Sequence, residues 1–144
     1  MKRNFLAVLI LALPQLLFAK DLQFANYEEN INKCYMAMDT ASTIDCFNEL
    51  NSKLDEQIKN KYQFLMKWID NEKSKPDAAN FLDKYEHQLF LSQRAWEVYI
   101  NINCEAVAIP FSEGSGIYAV INMQGCSAQE KINRLEALSD YYPR

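Results

Sequence analysis

Between positions 47 and 69 apolar residues recur at steps of three or four. They are Phe47, Leu50, Leu54, Ile58, Tyr62, Leu65 and Ile69, with Lys53, Glu56, Lys59 and Lys67 between them. Only a helix of about 3.6 residues per turn gathers such a series onto one side, so the spacing predicts a long amphipathic helix. Ser42 and Asp45 have the capping-box spacing and mark its expected start. A second stripe follows at the same steps through Phe81, Tyr85, Leu89, Ser92, Trp96 and Tyr99. Lys75-Pro76 lies between the two, and the residue before a proline avoids helical geometry. Two long helices joined by a short turn lie antiparallel, and their stripes are expected to face each other.

After Cys104 the pattern changes. The apolar run from Ala106 to Phe111 contains Pro110 and leads into Ser112-Glu113-Gly114-Ser115-Gly116, which reads as a loop. Ile117 to Met123 is too short for periodicity to separate helix from strand, and helix is the preferred reading. Gly125 is expected to end it, and Ser127 with Glu130 to cap a last helix through Ile132, Leu135 and Leu138. The expected fold is therefore an all-α domain, small and disulfide-stapled, with two long antiparallel helices plus two shorter ones packed across them.

The N-terminus reads as a cleavable signal. Lys2 and Arg3 precede an apolar run from Phe5 to Leu13, then come Pro14 and the exit Leu16-Leu17-Phe18-Ala19 before Lys20 and Asp21. A spanning helix needs about 20 apolar residues, more than this interrupted run supplies. Cleavage after Ala19 leaves residues 20–144 as a single domain without a stable membrane anchor, periplasmic or secreted. Loss of Lys2 and Arg3 reduces 15 basic residues to 13 against 19 acidic ones, so the formal charge goes from −4 to −6. An acidic body disfavours nucleic acid and suits a basic partner.

All four cysteines, Cys34, Cys46, Cys104 and Cys126, follow the signal. An even number in an exported chain predicts disulfides, and the close Cys-x-x-Cys pairs usual in zinc sites are missing. Four cysteines allow three pairings. The local one, Cys34 with Cys46 and Cys104 with Cys126, closes the smallest loops and staples each long helix at one end.

No constellation for catalysis stands out. His87 is the only histidine, between Glu86 and Gln88 on a helix, with no serine or cysteine nucleophile assignable to it. Carboxylate pairs such as Glu28-Glu29 and Asp55-Glu56 are adjacent and point in different directions. Neither a phosphate loop nor a metal-ligand cluster occurs. These residues favour a binding module over an enzyme, with no cofactor and no metal.

Gln93-Arg94-Ala95-Trp96, with Cys104 eight residues beyond Trp96, resembles the central motif of the lysozyme-inhibitor-like family, of the LprI N-terminal domain type. Cys34 and Cys46 are similar to that family's first cysteine pair, and Asp55, Ile58 and Tyr62 to its acidic-apolar-tyrosine pattern. Glu113 to Ile117 with Cys126 resembles its Gly-Ser segment and last cysteine, and Arg134-Leu135 its final helix. The chain departs from the pattern at Ile100, Asn101 and Asn103, where an Arg-Asp pair and an acidic residue are typical, and at Lys59, where asparagine is usual. The departures imply either that apolar packing replaces a salt bridge or that a polar contact to a partner is gone.

The resemblance implies an exported protein that binds a lysozyme, often a basic enzyme with two carboxylates in an open cleft, and occludes that cleft. The alternative from another class is a periplasmic interaction or immunity module for some other exported protein, without lysozyme inhibition. Because a cleft is best filled by a convex element, the segment from Ile109 to Ser115 is the candidate surface. Pro110 limits its freedom, Phe111 offers apolar area, and Ser112, Glu113 and Ser115 offer hydrogen bonds. The competing reading has Phe111 folded back over the helix ends. Trp96, on the core stripe, is expected to be packing rather than contact surface.

Overall fold

The computed structural model of the chain describes residues 26–75, 79–114 and 116–141, so the expected signal segment lies outside the described residues. These form four helices and no strand. Residues 26–35 make α1, a helix not assigned from the sequence although Tyr27, Ile31 and Cys34 have helical spacing and turn inward. The long helices are α2, Thr40–Lys73, and α3, Ala79–Ala108. A 3-10 turn, Ile109–Phe111, leads on to α4, Ile117–Asp140.

α2 starts earlier than its expected capping box. Asp39 is the cap, in extended geometry, and its carboxylate accepts from the Ser42 backbone N–H at 2.8 Å and from the Ser42 hydroxyl at 2.8 Å. Those two bonds hold the Asp39 carboxyl below its usual range, the backbone bond first. Ser42 is therefore the third helical residue and Asp45 has no capping part. The predicted stripe is otherwise correct: Phe47, Leu50, Leu54, Ile58, Leu65 and Ile69 are buried, and Tyr62 is partly buried against them.

On α3 the expected stripe holds at Tyr85, Leu89, Ser92 and Trp96 and fails at its two ends. Phe81 is 72% exposed and Tyr99 48% exposed, while Leu82, Leu89, Ile100, Cys104 and Ala108 turn inward with Tyr85 and Trp96 partly buried. This helix is apolar on two sides. Both series satisfy steps of three and four, and periodicity does not choose between them.

Beyond the turn α4 runs unbroken through both features expected to divide it. Gly125 is buried in mid-helix because Tyr35 needs the space: a Cβ there would stand 1.9 Å from the Tyr35 hydroxyl. Glu130, expected to complete a cap with Ser127, instead reaches α3, accepting from Tyr99 at 3.2 Å and Asn103 at 3.4 Å. The N-cap is Gly116, whose φ of 69° lies in the left-handed region that glycine adopts without strain.

Each helix is antiparallel to the one before it, as the cross-contacts require. Tyr27 meets Gln57 while Cys34 meets Cys46, Asn51 meets Gln124 while Asp55 meets Lys131, and Ser92 meets Arg134 while Asn103 meets Cys126. The stripes of α2 and α3 converge mainly on α4, which packs more extensively against each than they pack against one another. Ile121, Ala128, Ile132, Leu135 and Leu138 are its buried contribution. The disulfides are Cys34–Cys46 and Cys104–Cys126, with Cα atoms 5.3 and 5.5 Å apart, as the sequence predicts. Both lie at one end of the bundle, away from the α2–α3 turn.

Candidate functional site

Midway along the bundle α2 and α3 diverge enough to leave an open groove of about 360 Å³. α2 lines it with Asp55, Ile58, Lys59 and Tyr62, which recur at helical steps and therefore share one side. α3 supplies Phe90, Gln93, Arg94, Trp96 and Glu97. The five motif residues singled out in the sequence, Asp55, Tyr62, Gln93, Arg94 and Trp96, thus meet in one place although 41 positions separate the first from the last.

Hydrogen bonds fix the polar members. Gln93 donates through Nε2 to Glu97 at 3.3 Å, and Arg94 pairs with Glu97 at 3.2 Å. Asp55 is held at 2.8 Å by Lys131, which reaches it from α4. Burial is the main cause that raises the Tyr62 pKa, and the charges of Glu86 and Glu97 add to it, so the phenol stays protonated.

Arg134, from α4, is 6% exposed and has no carboxylate partner among its described contacts. Its Nε donates to Gln93 Oε1 at 3.1 Å and its Nη1 to Ser92 Oγ at 3.1 Å. The guanidinium lies 5.8 Å from the Trp96 ring centroid and 5.9 Å from that of Tyr141. It thereby orients the Gln93 amide and backs the indole by cation–π attraction. The sequence did not signal this role, because its partners lie on another helix. Trp96 packs on the core and its free edge lines the groove.

The groove has apolar walls, Ile58, Tyr62, Phe90 and Trp96, and a rim with two cations and two carboxylates, Lys59, Arg94, Asp55 and Glu97. Such a surface suits an apolar side chain with polar edges rather than a reacting bond. His87 lies apart, in a shallow depression with Met66, Asp83, Glu86 and Phe90. Among the described residues no group of three or more His, Cys, Asp and Glu is arranged to hold a metal.

The candidate contact loop is a separate region. Ile109, Pro110, Phe111, Ser112 and Glu113 are all exposed, and Ser115 lies outside the described residues. Phe111 remains 44% exposed rather than covering the helix ends. The Ser112 backbone N–H and hydroxyl both donate to the Ile109 carbonyl, at 3.1 and 2.7 Å, which closes the 3-10 turn that Pro110 starts. The turn stands about 20 Å along the α3 axis from the groove, at a helical rise of about 1.5 Å per residue.

Ile100 is buried in the core, Asn101 is exposed, and Asn103 bonds Glu130. A family model of the lysozyme inhibitor LprI matches residues 31–138. The chain belongs to the lysozyme inhibitor LprI family. The match takes in both disulfides, the groove and the exposed turn of this LprI-family chain, and the family is one of inhibitors rather than enzymes. Neither a curated protein nor a solved structure matches it.

Proposed function

We propose that the mature chain, released by cleavage after Ala19, acts outside the cytoplasm and inhibits a lysozyme-type muramidase by placing the turn from Ile109 to Ser115 in its active-site cleft. The family match over residues 31–138 carries the inhibitory reading. Among the described residues no helix is long and apolar enough to cross a membrane. The turn suits a cleft because it is convex, exposed and already ordered, so little entropy is lost on binding. Phe111 supplies apolar area, with Pro110 and Ser112 beside it, Ser115 offers a further hydrogen bond, and Glu113 belongs at the cleft rim, away from the two enzyme carboxylates. A body of charge −6 accelerates encounter with a basic enzyme.

A second reading is favoured by one observation, the convergence of the five motif residues on the groove. There the partner projects a side chain into this protein instead. One experiment separates the two. With the oxidised mature protein, Phe111→Ala with Ser112→Ala is expected to weaken inhibition of a lysozyme panel about 30-fold or more with the thermal midpoint unchanged. Phe90→Ala with Arg94→Ala is expected to leave it intact. The reverse result assigns the contact to the groove. A protein that inhibits no lysozyme but captures another exported protein is an interaction or immunity module.

A further inference from the structure

α3 has an apolar face that the bundle leaves uncovered. Its inner side presents Leu82, Leu89, Ile100 and Cys104 to the core. At about 100° per residue, Ile102 projects about 200° round from Ile100, and Leu91, Ala95, Val98, Ala106 and Ile109 fall on the same outer line. All six are exposed, Ile102 at 65% and Ile109 at 64%. The steps from 91 through 95, 98, 102 and 106 to 109 are four, three, four, four and three, the spacing of a helix-to-helix seam. A helix apolar on both sides ordinarily has both sides covered.

We infer that this face pairs with the same face of a second copy of the chain, antiparallel, about a two-fold axis passing between Val98 and Ile102. The stripe is self-complementary under that operation. Val98 meets the partner's Ile102, Leu91 meets the partner's Ile109, and Ala95 meets the partner's Ala106 and Glu105. The charges select the direction. Arg94 and Glu105 lie on one flank of the stripe, near its opposite ends. Antiparallel pairing brings Arg94 beside the partner's Glu105 twice over, whereas parallel pairing puts the two charged flanks on opposite sides of the seam, where neither meets its complement. Asn101, on the same flank, comes close to the partner's Asn101 at the axis.

Charge also distinguishes a second copy from a basic partner. The chain outside its signal is acidic overall, −6, yet this face carries one Arg and one Glu and is neutral. A surface shaped for a basic enzyme is expected to have acidic flanks, and one shaped for its own copy to avoid net charge. The pairing covers Ile109, the first residue of the turn, and leaves Phe111, Ser112 and Glu113 outside the seam, one turn at each end of the dimer.

Sedimentation velocity of the oxidised mature protein, from about 1 to about 200 µM, tests this over the range in which modest interfaces dissociate. A monomer–dimer equilibrium is expected. Ile102→Glu is expected to weaken it about 100-fold, by placing a charge at the seam centre. Arg94→Glu or Glu105→Arg alone is expected to weaken it about 5-fold, and the double exchange to restore it. Ile102 is exposed in the monomer, so circular dichroism should be unchanged; if it is not, Val98→Lys replaces it. A protein monomeric throughout overturns the proposal. So does a dimer indifferent to Ile102→Glu or Val98→Lys, while failure of the double exchange to restore pairing overturns the antiparallel arrangement. A monomeric parent whose lysozyme inhibition is abolished by Ile102→Glu assigns the face to the enzyme instead. Because the dimer is read without lysozyme, its failure and that of the inhibitor reading are separately visible.

Discussion

The two ends of the bundle are held by different means. At one end Cys34–Cys46 ties α1 to α2 and Cys104–Cys126 ties α3 to α4. At the other, beside the α2–α3 turn, no cross-link occurs among the described residues. There Lys73 is gripped by Asp83 at 2.6 Å and by Glu86, the Tyr85 hydroxyl donates to the Tyr141 carbonyl, and Trp68 and Phe81 pack around Tyr85. The stapled end is also where the turn and the lower part of the uncovered α3 face lie. Covalent ties let that end keep apolar groups on its surface, because its order does not depend on burying them. The open end is held instead by ion pairs and aromatic contacts, although Phe81 itself remains largely exposed there.

The largest effect should come from removing a staple. Replacing Cys104 and Cys126 by alanine is expected to cost about 3 kcal/mol, and replacing Cys34 and Cys46 about half a kcal/mol less, since the first closes the longer loop. Urea unfolding of the two double variants measures both. Equal midpoints to the parent would break the contrast between the ends.

A smaller effect tests whether packing supports the staples. Gly125→Ala raises helix propensity by up to about 1 kcal/mol but displaces the Tyr35 ring, which also packs edge-on against Phe47 at 4.9 Å. The substitution is therefore expected to destabilise the parent and to stabilise a Tyr35→Ala background by about 0.5 to 1 kcal/mol. A double-mutant cycle reads the coupling. Additive effects would mean that the Tyr35 ring and the Cβ at position 125 do not compete for the same space.

The smallest effect belongs to the open end. Hydrogen bonds to Asp83 and then Glu86 raise the Lys73 pKa above its ordinary value. Its contribution to stability is thus complete below about 10.4, the unfolded value, and is lost as pH rises through the higher folded one. The difference in thermal midpoint between the parent and Lys73→Met should be constant through neutral pH and shrink at strongly alkaline pH. A difference that does not shrink there would show that Lys73 acts by packing its stem rather than by charge.

The α2 stripe, the end of α2 shortly before Lys75 and both disulfide pairings were legible in the sequence, because each depends on local spacing; Pro76 lies outside the described residues. A single apolar series has one way to face inward, and a short loop between cysteines is the easiest to close. The middle of the α3 stripe was legible and its ends were not, since Phe81 and Leu82, and Tyr99 and Ile100, are adjacent apolar pairs and only the neighbouring helices select between them. Gly125 read as a helix end because an isolated glycine is costly inside a helix; its reason for being there is the Tyr35 ring, 90 positions earlier. Asp55, Tyr62, Gln93, Arg94 and Trp96 were identified one by one as a resemblance, but that they line one groove follows from the antiparallel crossing of α2 and α3. The sequence by itself determined the two long helices and which cysteines pair, through interactions within a few turns. Only the tertiary structure decided which faces are buried, that Arg134 backs Trp96 and Gln93, and that one apolar face of α3 remains uncovered, because those outcomes depend on which helices meet.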